Sequence, residues 1–201
     1  DVGDLRMWVA LHESTHAYQF HAVDPPWLRD YIGGQMRDYL AAAVKTLGQS
    51  RQLRVRLRIR LRRWQRGELR DVGLLGLALT SEQAATLRRI QSLMTLMEGH
   101  SNHVMRAAGE QVIPAYAQLA ARMRVREQSR GAAFRVLVRL LGLDLKLQQY
   151  RIGEAFVNHV VRERDLAFVN RAWVNAARLP TLDETRDPAA WITRMERDDE
   201  P

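Results

Sequence analysis

The pentad HESTH at residues 12–16 constrains this chain more than any other feature, because it makes sense only on a helix. On a helix, residues four apart leave one face about a turn apart, so His12 and His16 can offer two imidazole nitrogens to a single tetrahedral cation. Leu5, Trp8, Val9 and Phe20 fall in the same period and predict a first helix from about residue 4 to 22. Trp8, Val9 and Phe20 share the general direction of the two histidines, which predicts a semi-buried face rather than a solvated one. Glu13 stands beside the first histidine, where a carboxylate can reach a metal-bound water and act as general base.

The rest of the chain reads as helical too. Asp24-Pro25-Pro26 ends the first helix, since proline lacks the N–H and disfavours helix in the residue before it. Leu28, Tyr31, Ile32, Met36, Tyr39, Leu40 and Val44 predict a second helix over 27–47, locally weakened at Gly33-Gly34. Thr80 with Gln83 forms a capping box opening a long helix over about 81–108, with Leu87, Ile90, Leu93, Met94 and Met97 as its apolar stripe. Further helices are expected at 111–127, 131–141, 144–164 and 165–177, with a short one near 188–196 after Asp187-Pro188. The expectation is a single all-α domain over 1–201 with a loose acidic end from 180 onwards.

Composition narrows the chemistry. There is no cysteine, which excludes a disulfide scaffold and leaves only His, Asp, Glu or water to hold a metal. No apolar run reaches the roughly 20 residues that span a bilayer, and no signal peptide is visible, so a cytoplasmic protein is expected. No GxGxxG or Walker-type sequence occurs, and no serine stands where a Ser-His-Asp triad would need its nucleophile. The chain begins at Asp1 without methionine and reads as the C-terminal part of something longer.

The net charge of +8 is local. Residues 51–70 hold nine arginines against Glu68 alone, so this segment accounts for all of it. Leu53, Val55, Leu57, Ile59 and Leu61 alternate with arginines in the period of a strand, but a lone strand would lack a partner, which favours a helix ending near Gly67. The segment could meet nucleic-acid phosphates or an acidic membrane. With Trp64 as its only aromatic it offers no stacking platform, and a solvated surface element is the preferred reading.

A third ligand must come from elsewhere. The segment LMTLMEGHSNHVM, residues 93–105, puts Glu98, His100, Asn102 and His103 on an otherwise apolar helix. A buried carboxylate needs a cation or hydrogen-bond donors, because burying a charge without them is costly. Glu98 shares a face with Asn102, so Glu98 as ligand with Asn102 supporting it is the first choice. His100 or His103 remain alternatives, and His103 could instead stabilise a developing oxyanion. Tyr150 is a further candidate for that donor, set against its reading as a core residue with a wet hydroxyl. His159, nine residues on, lies half a turn round the same helix and cannot face the site together with Tyr150.

HESTH, then LMEGHSNHVM, LLGLDLKLQQYRIGEAFVNHVV and LPTLDETRDPAAW, in this order from about Leu5 to Trp191, resemble the bacterial zincin-like hydrolase family whose members are often described as associated with deazaflavin coenzyme biosynthesis. The resemblance implies a mostly helical zinc-binding protein, with His12, Glu13 and His16 matching HExxH and Glu98 matching the glutamate of the EGH segment. Members are typically longer at the N-terminus. The resulting expectation is a zinc-dependent hydrolase of a peptide or small-molecule substrate, with oligomeric state open. Its competitor is a member that keeps the metal-binding framework without turnover.

Overall fold

The computed structural model describes residues 2–21, 27–47, 80–128 and 145–199, and for residues 43, 45–47, 123–128 and 145–150 it describes the helical backbone alone. The Arg-rich segment 51–70, the Asp24-Pro25-Pro26 break and the helix expected at 131–141 lie outside the described residues. Within them the chain is all-α, with no strand. In order come α1 (Val2–His21), α2 (Leu28–Leu47), α3 (Ser81–Val112), α4 (Tyr116–Gln128), α5 (Leu145–Glu163), α6 (Leu166–Asn170), two 3-10 turns (Arg171–Trp173 and Ala176–Arg178) and α7 (Pro188–Arg197).

α3 is the axle of the fold. Its start is set by the capping box: Thr80 Oγ1 accepts from the Gln83 backbone N–H at 3.1 Å, while the Gln83 side chain accepts from the Thr80 N–H at 2.8 Å. It packs along α5, and α1 and α2 lie against it as well. The α3–α5 approach is a backbone contact made possible by two glycines: a Cβ on Gly99 would lie 2.1 Å from the Gly153 carbonyl carbon. No side chain fits there.

The end of α3 departs from the sequence expectation. The helix runs on to Val112, turns at Ile113–Ala115, and resumes as α4 only at Tyr116, not at 111. Ile113 adopts φ −116°, ψ 105°, the extended conformation that a following proline enforces, and its N–H closes the helix on the Gly109 carbonyl at 2.9 Å. The Tyr116 ring then lies over Gly109, where a Cβ would come within 2.4 Å of it, and stacks on Trp8 of α1 with centroids 5.1 Å apart.

The segment expected as one helix over 165–177 is also broken. Asp165 caps α6 by accepting from the Phe168 N–H at 2.7 Å, but the chain tightens to 3-10 geometry after Asn170. Asn175 then turns extended and caps the second 3-10 turn through its own side chain, the local bonding by which asparagine competes with a continuing helix.

The core lies where α3, α5, α6 and α7 meet, around Leu93, Leu96, Phe156, Val160, Trp173 and Trp191. Each large apolar side chain buried there contributes about 1.5–3 kcal/mol. The C-terminal end is accordingly not loose. Trp191 is 0% exposed, its indole N–H reaches the Arg178 carbonyl, and Arg194 bridges Glu184 and the Ala177 and Leu179 carbonyls. An apolar stripe of Trp191, Ile192 and Met195 drives that docking, and the acidic residues that suggest looseness are its solvent side and ion-pair partners. Among the described residues no helix is long and apolar enough to cross a membrane.

Candidate metal centre

His12 and His16 share one face of α1 because that segment is helical throughout. Their rings meet nearly at right angles, and the two Nε2 atoms stand 3.1 Å apart. Two donors on one tetrahedral zinc ion stand about 3.3 Å apart, so the pair is already spaced for a shared cation. Glu98 comes from α3, and its Oε2 lies 3.9 Å from His12 Nε2 and 3.8 Å from His16 Nε2. The ligand atoms of these three residues all fall within 4.8 Å of one another, a grouping that could hold a metal ion.

The donor set fits a cation for a further reason. Glu98 Oε2 is buried and has no hydrogen-bond partner among the described residues, although a buried carboxylate oxygen is costly without one. The support expected from Asn102 is thus missing at this oxygen, and what faces it instead is the pair of imidazole nitrogens. Burial, followed by the neighbouring His16, holds the pKa of His12 below the ordinary histidine value, against the opposing pull of Glu98 and Glu13. His12 is therefore a neutral imidazole at neutral pH, the form in which histidine binds metals.

The far sides of both rings are engaged. His12 Nδ1 lies 3.0 Å from Ser101 Oγ and 3.0 Å from Met105 Sδ, both on α3. His16 Nδ1 lies 2.9 Å from Gln19 Oε1. Such partners orient metal-binding imidazoles and fix their tautomers. Sequence reasoning missed Gln19 and Ser101. The available signal was spacing: Gln19 follows His16 by three residues on the same helix, and Ser101 follows Glu98 by three.

The remaining candidates separate. Glu13 is exposed on α1, next to His12 and outside the ligand grouping. Val9, expected on the semi-buried face, is 48% exposed. His100 is not among the grouped residues: both its nitrogens are spoken for, Nδ1 by Gln19 at 3.1 Å and Nε2 by Asn170 at 3.0 Å. Burial lowers its pKa to about 4. His103 directs Nδ1 to Asn158 of α5 at 2.8 Å. Tyr150 lies in α5, its side chain outside the described residues. His159 accepts from Arg162 at 3.3 Å on the exposed side of α5.

The sequence profile of the zincin-like metallopeptidases matches residues 1–192. Among solved structures, a candidate hydrolase with a novel fold from Chloroflexus aurantiacus is similar over 100% of this chain, with 36% identity and a TM-score of 0.66. The alignment covers 54% of that protein, so the chain spans about half its length. No curated protein matches the chain.

Proposed function

The chain belongs to the zincin-like metallopeptidase family, and on that premise we propose that it is a zinc-dependent hydrolase, with peptides as the substrate class. The observation that carries the proposal is the convergence of His12 and His16 with Glu98, which lies 82 residues beyond His16, around a buried carboxylate oxygen that has no hydrogen-bond partner among the described residues. In this reading the three residues hold zinc. When bound, zinc supplies Lewis acidity and lowers the pKa of water at its open position to about 7.

The chain's own residues do the rest. Glu13, exposed beside the ligand pair, takes a proton from the attacking water and delivers it to the leaving group. His12 and His16 are fixed in orientation, each held from behind by Ser101 or Gln19. His103 is retained as a candidate oxyanion donor, with its ring oriented by the Asn158 contact, and Tyr150 as a second. A membership that keeps the metal without turnover is the competing reading, and nothing in the geometry favours it over catalysis.

Metal analysis of purified protein followed by turnover of a broad peptide library tests the proposal. One zinc per chain, lost in His16→Ala, together with turnover abolished in Glu13→Gln at full zinc content, is the expected result. Zinc retained without turnover, in this chain and in a longer form of the protein alike, moves the conclusion to a metal-binding structural role.

A further inference from the structure

We infer that Gln19 is a positioning residue of the metal centre and that His100, locked to Asn170, is the anchor that holds Gln19 in place. The inference rests on the metal-centre reading above and extends it to the group that sets the tautomer of one ligand.

Gln19 and His100 are each 2% exposed, so neither can satisfy its polar atoms with solvent. One end of the Gln19 amide lies 2.9 Å from the Met97 carbonyl oxygen, which can only accept, so that end is the NH2 group. The other end, Oε1, is 2.9 Å from His16 Nδ1 and can only accept as well, so His16 Nδ1 must carry the hydrogen. In a neutral imidazole this leaves Nε2 unprotonated, and Nε2 is the atom that faces His12 and Glu98.

The Gln19 NH2 group also lies 3.1 Å from His100 Nδ1, which must therefore accept. His100 then carries its hydrogen on Nε2, and that nitrogen lies 3.0 Å from Asn170 Oδ1, an acceptor. Asn170 closes α6, which belongs to the core. A rigid line thus runs from the core through Asn170, His100 and Gln19 to His16, with each polarity determined by the last. His16 and His100 end in opposite tautomers. A chain of this kind does more than fill space: an acceptor behind a metal-binding imidazole fixes its orientation and raises its basicity.

Two measurements test it. Long-range proton–nitrogen correlation spectra of metal-stripped protein at pH 8 should show His16 protonated on Nδ1 and His100 on Nε2. His16 protonated on Nε2 would overturn the inference whatever the metal data say. Cobalt and zinc affinities, read by competition with a chelator, should fall 10–100-fold in Gln19→Leu, with an altered cobalt absorption spectrum. Gln19→Glu keeps an acceptor behind His16 but loses the NH2 group that meets Met97 and His100, so its affinity should lie between those of Gln19→Leu and the unaltered protein. Equal binding by Gln19→Leu and unaltered protein, or by Gln19→Glu and unaltered protein, overturns the inference alone. Failure of the unaltered protein to bind either metal overturns the metal-centre reading and this inference with it.

Discussion

Gly99 and Gly153 meet across the α3–α5 crossing so closely that a Cβ on Gly153 would stand 2.0 Å from the Thr95 carbonyl oxygen, and one on Gly99 2.1 Å from the Gly153 carbonyl carbon. The atoms in the way are backbone, which cannot swing aside as a side chain would. Gly99→Ala or Gly153→Ala should therefore cost at least the upper part of the usual overpacking range, about 3 kcal/mol. Chemical unfolding of each variant measures it. Because Glu98 precedes Gly99 directly, both variants should also lose metal affinity, although among the described residues the helix of Gly153 supplies none of the grouped side chains.

Glu98→Gln should change sign with metal. In metal-stripped protein it removes a buried carboxylate oxygen that has no hydrogen-bond partner among the described residues, and it should stabilise the fold by about 1 kcal/mol. With zinc at a thousandfold excess over Kd, the unaltered protein gains about 4 kcal/mol and the variant far less. Thermal unfolding with and without chelator reads both halves. A variant less stable than the unaltered protein in both conditions would mean that Glu98 is held by something other than a cation.

His100 should make the fold acid-sensitive. Its folded-state pKa is lowered to about 4 by burial, against about 6.5 when unfolded, so the unfolded chain binds a proton that the folded one refuses. The stability it lends is complete above pH 6.5 and is lost progressively as pH falls towards 4, by up to about 3 kcal/mol. Urea unfolding of metal-stripped protein at pH 7 and pH 5 measures the loss. In His100→Phe, whatever its overall stability, this part of the pH dependence should be gone.

Arg194→Met should destabilise the C-terminal end by about 2 kcal/mol, less than for a fully buried pair because solvent reaches this one. Arg194 donates to Glu184 at 2.7 and 3.1 Å and to the Ala177 and Leu179 carbonyls at 2.9 Å each. Burial raises the pKa of Glu184, and Arg194 with Thr181 more than offsets it, so the net shift is downward. Removing the guanidinium leaves a half-buried carboxylate and two carbonyls short of donors. Glu184→Gln should cost less, since it keeps a hydrogen-bonding group opposite Arg194.

What could be read from the sequence was whatever depends on local spacing. The two histidines of α1, the capping box of Thr80 and Gln83 and the Asp187-Pro188 start of α7 all follow from residues within one turn of each other. Glu98 was legible because an acid on an apolar stripe is anomalous. The breaks at Ile113 and Asn175 were missed because periodicity continued across them, while Pro114 and the Asn175 side chain acted on the backbone underneath. Gln19 was missed because its role exists only once α3 supplies the Met97 carbonyl and His100. No property of α1 alone distinguishes it from a surface glutamine.

The two fully buried residues of α1 are Thr15 and Gln19, both polar. The helix that bears two of the three grouped residues is thus moored to α3 in part by the hydrogen bonds of Gln19, with Phe20 as its apolar contact to the core. An ion shared between α1 and α3 would act as a rivet across that seam. Its departure would leave α1 the cheapest part of the molecule to peel away, and a protease or hydrogen exchange would notice the loss there long before the rest of the fold gave any sign.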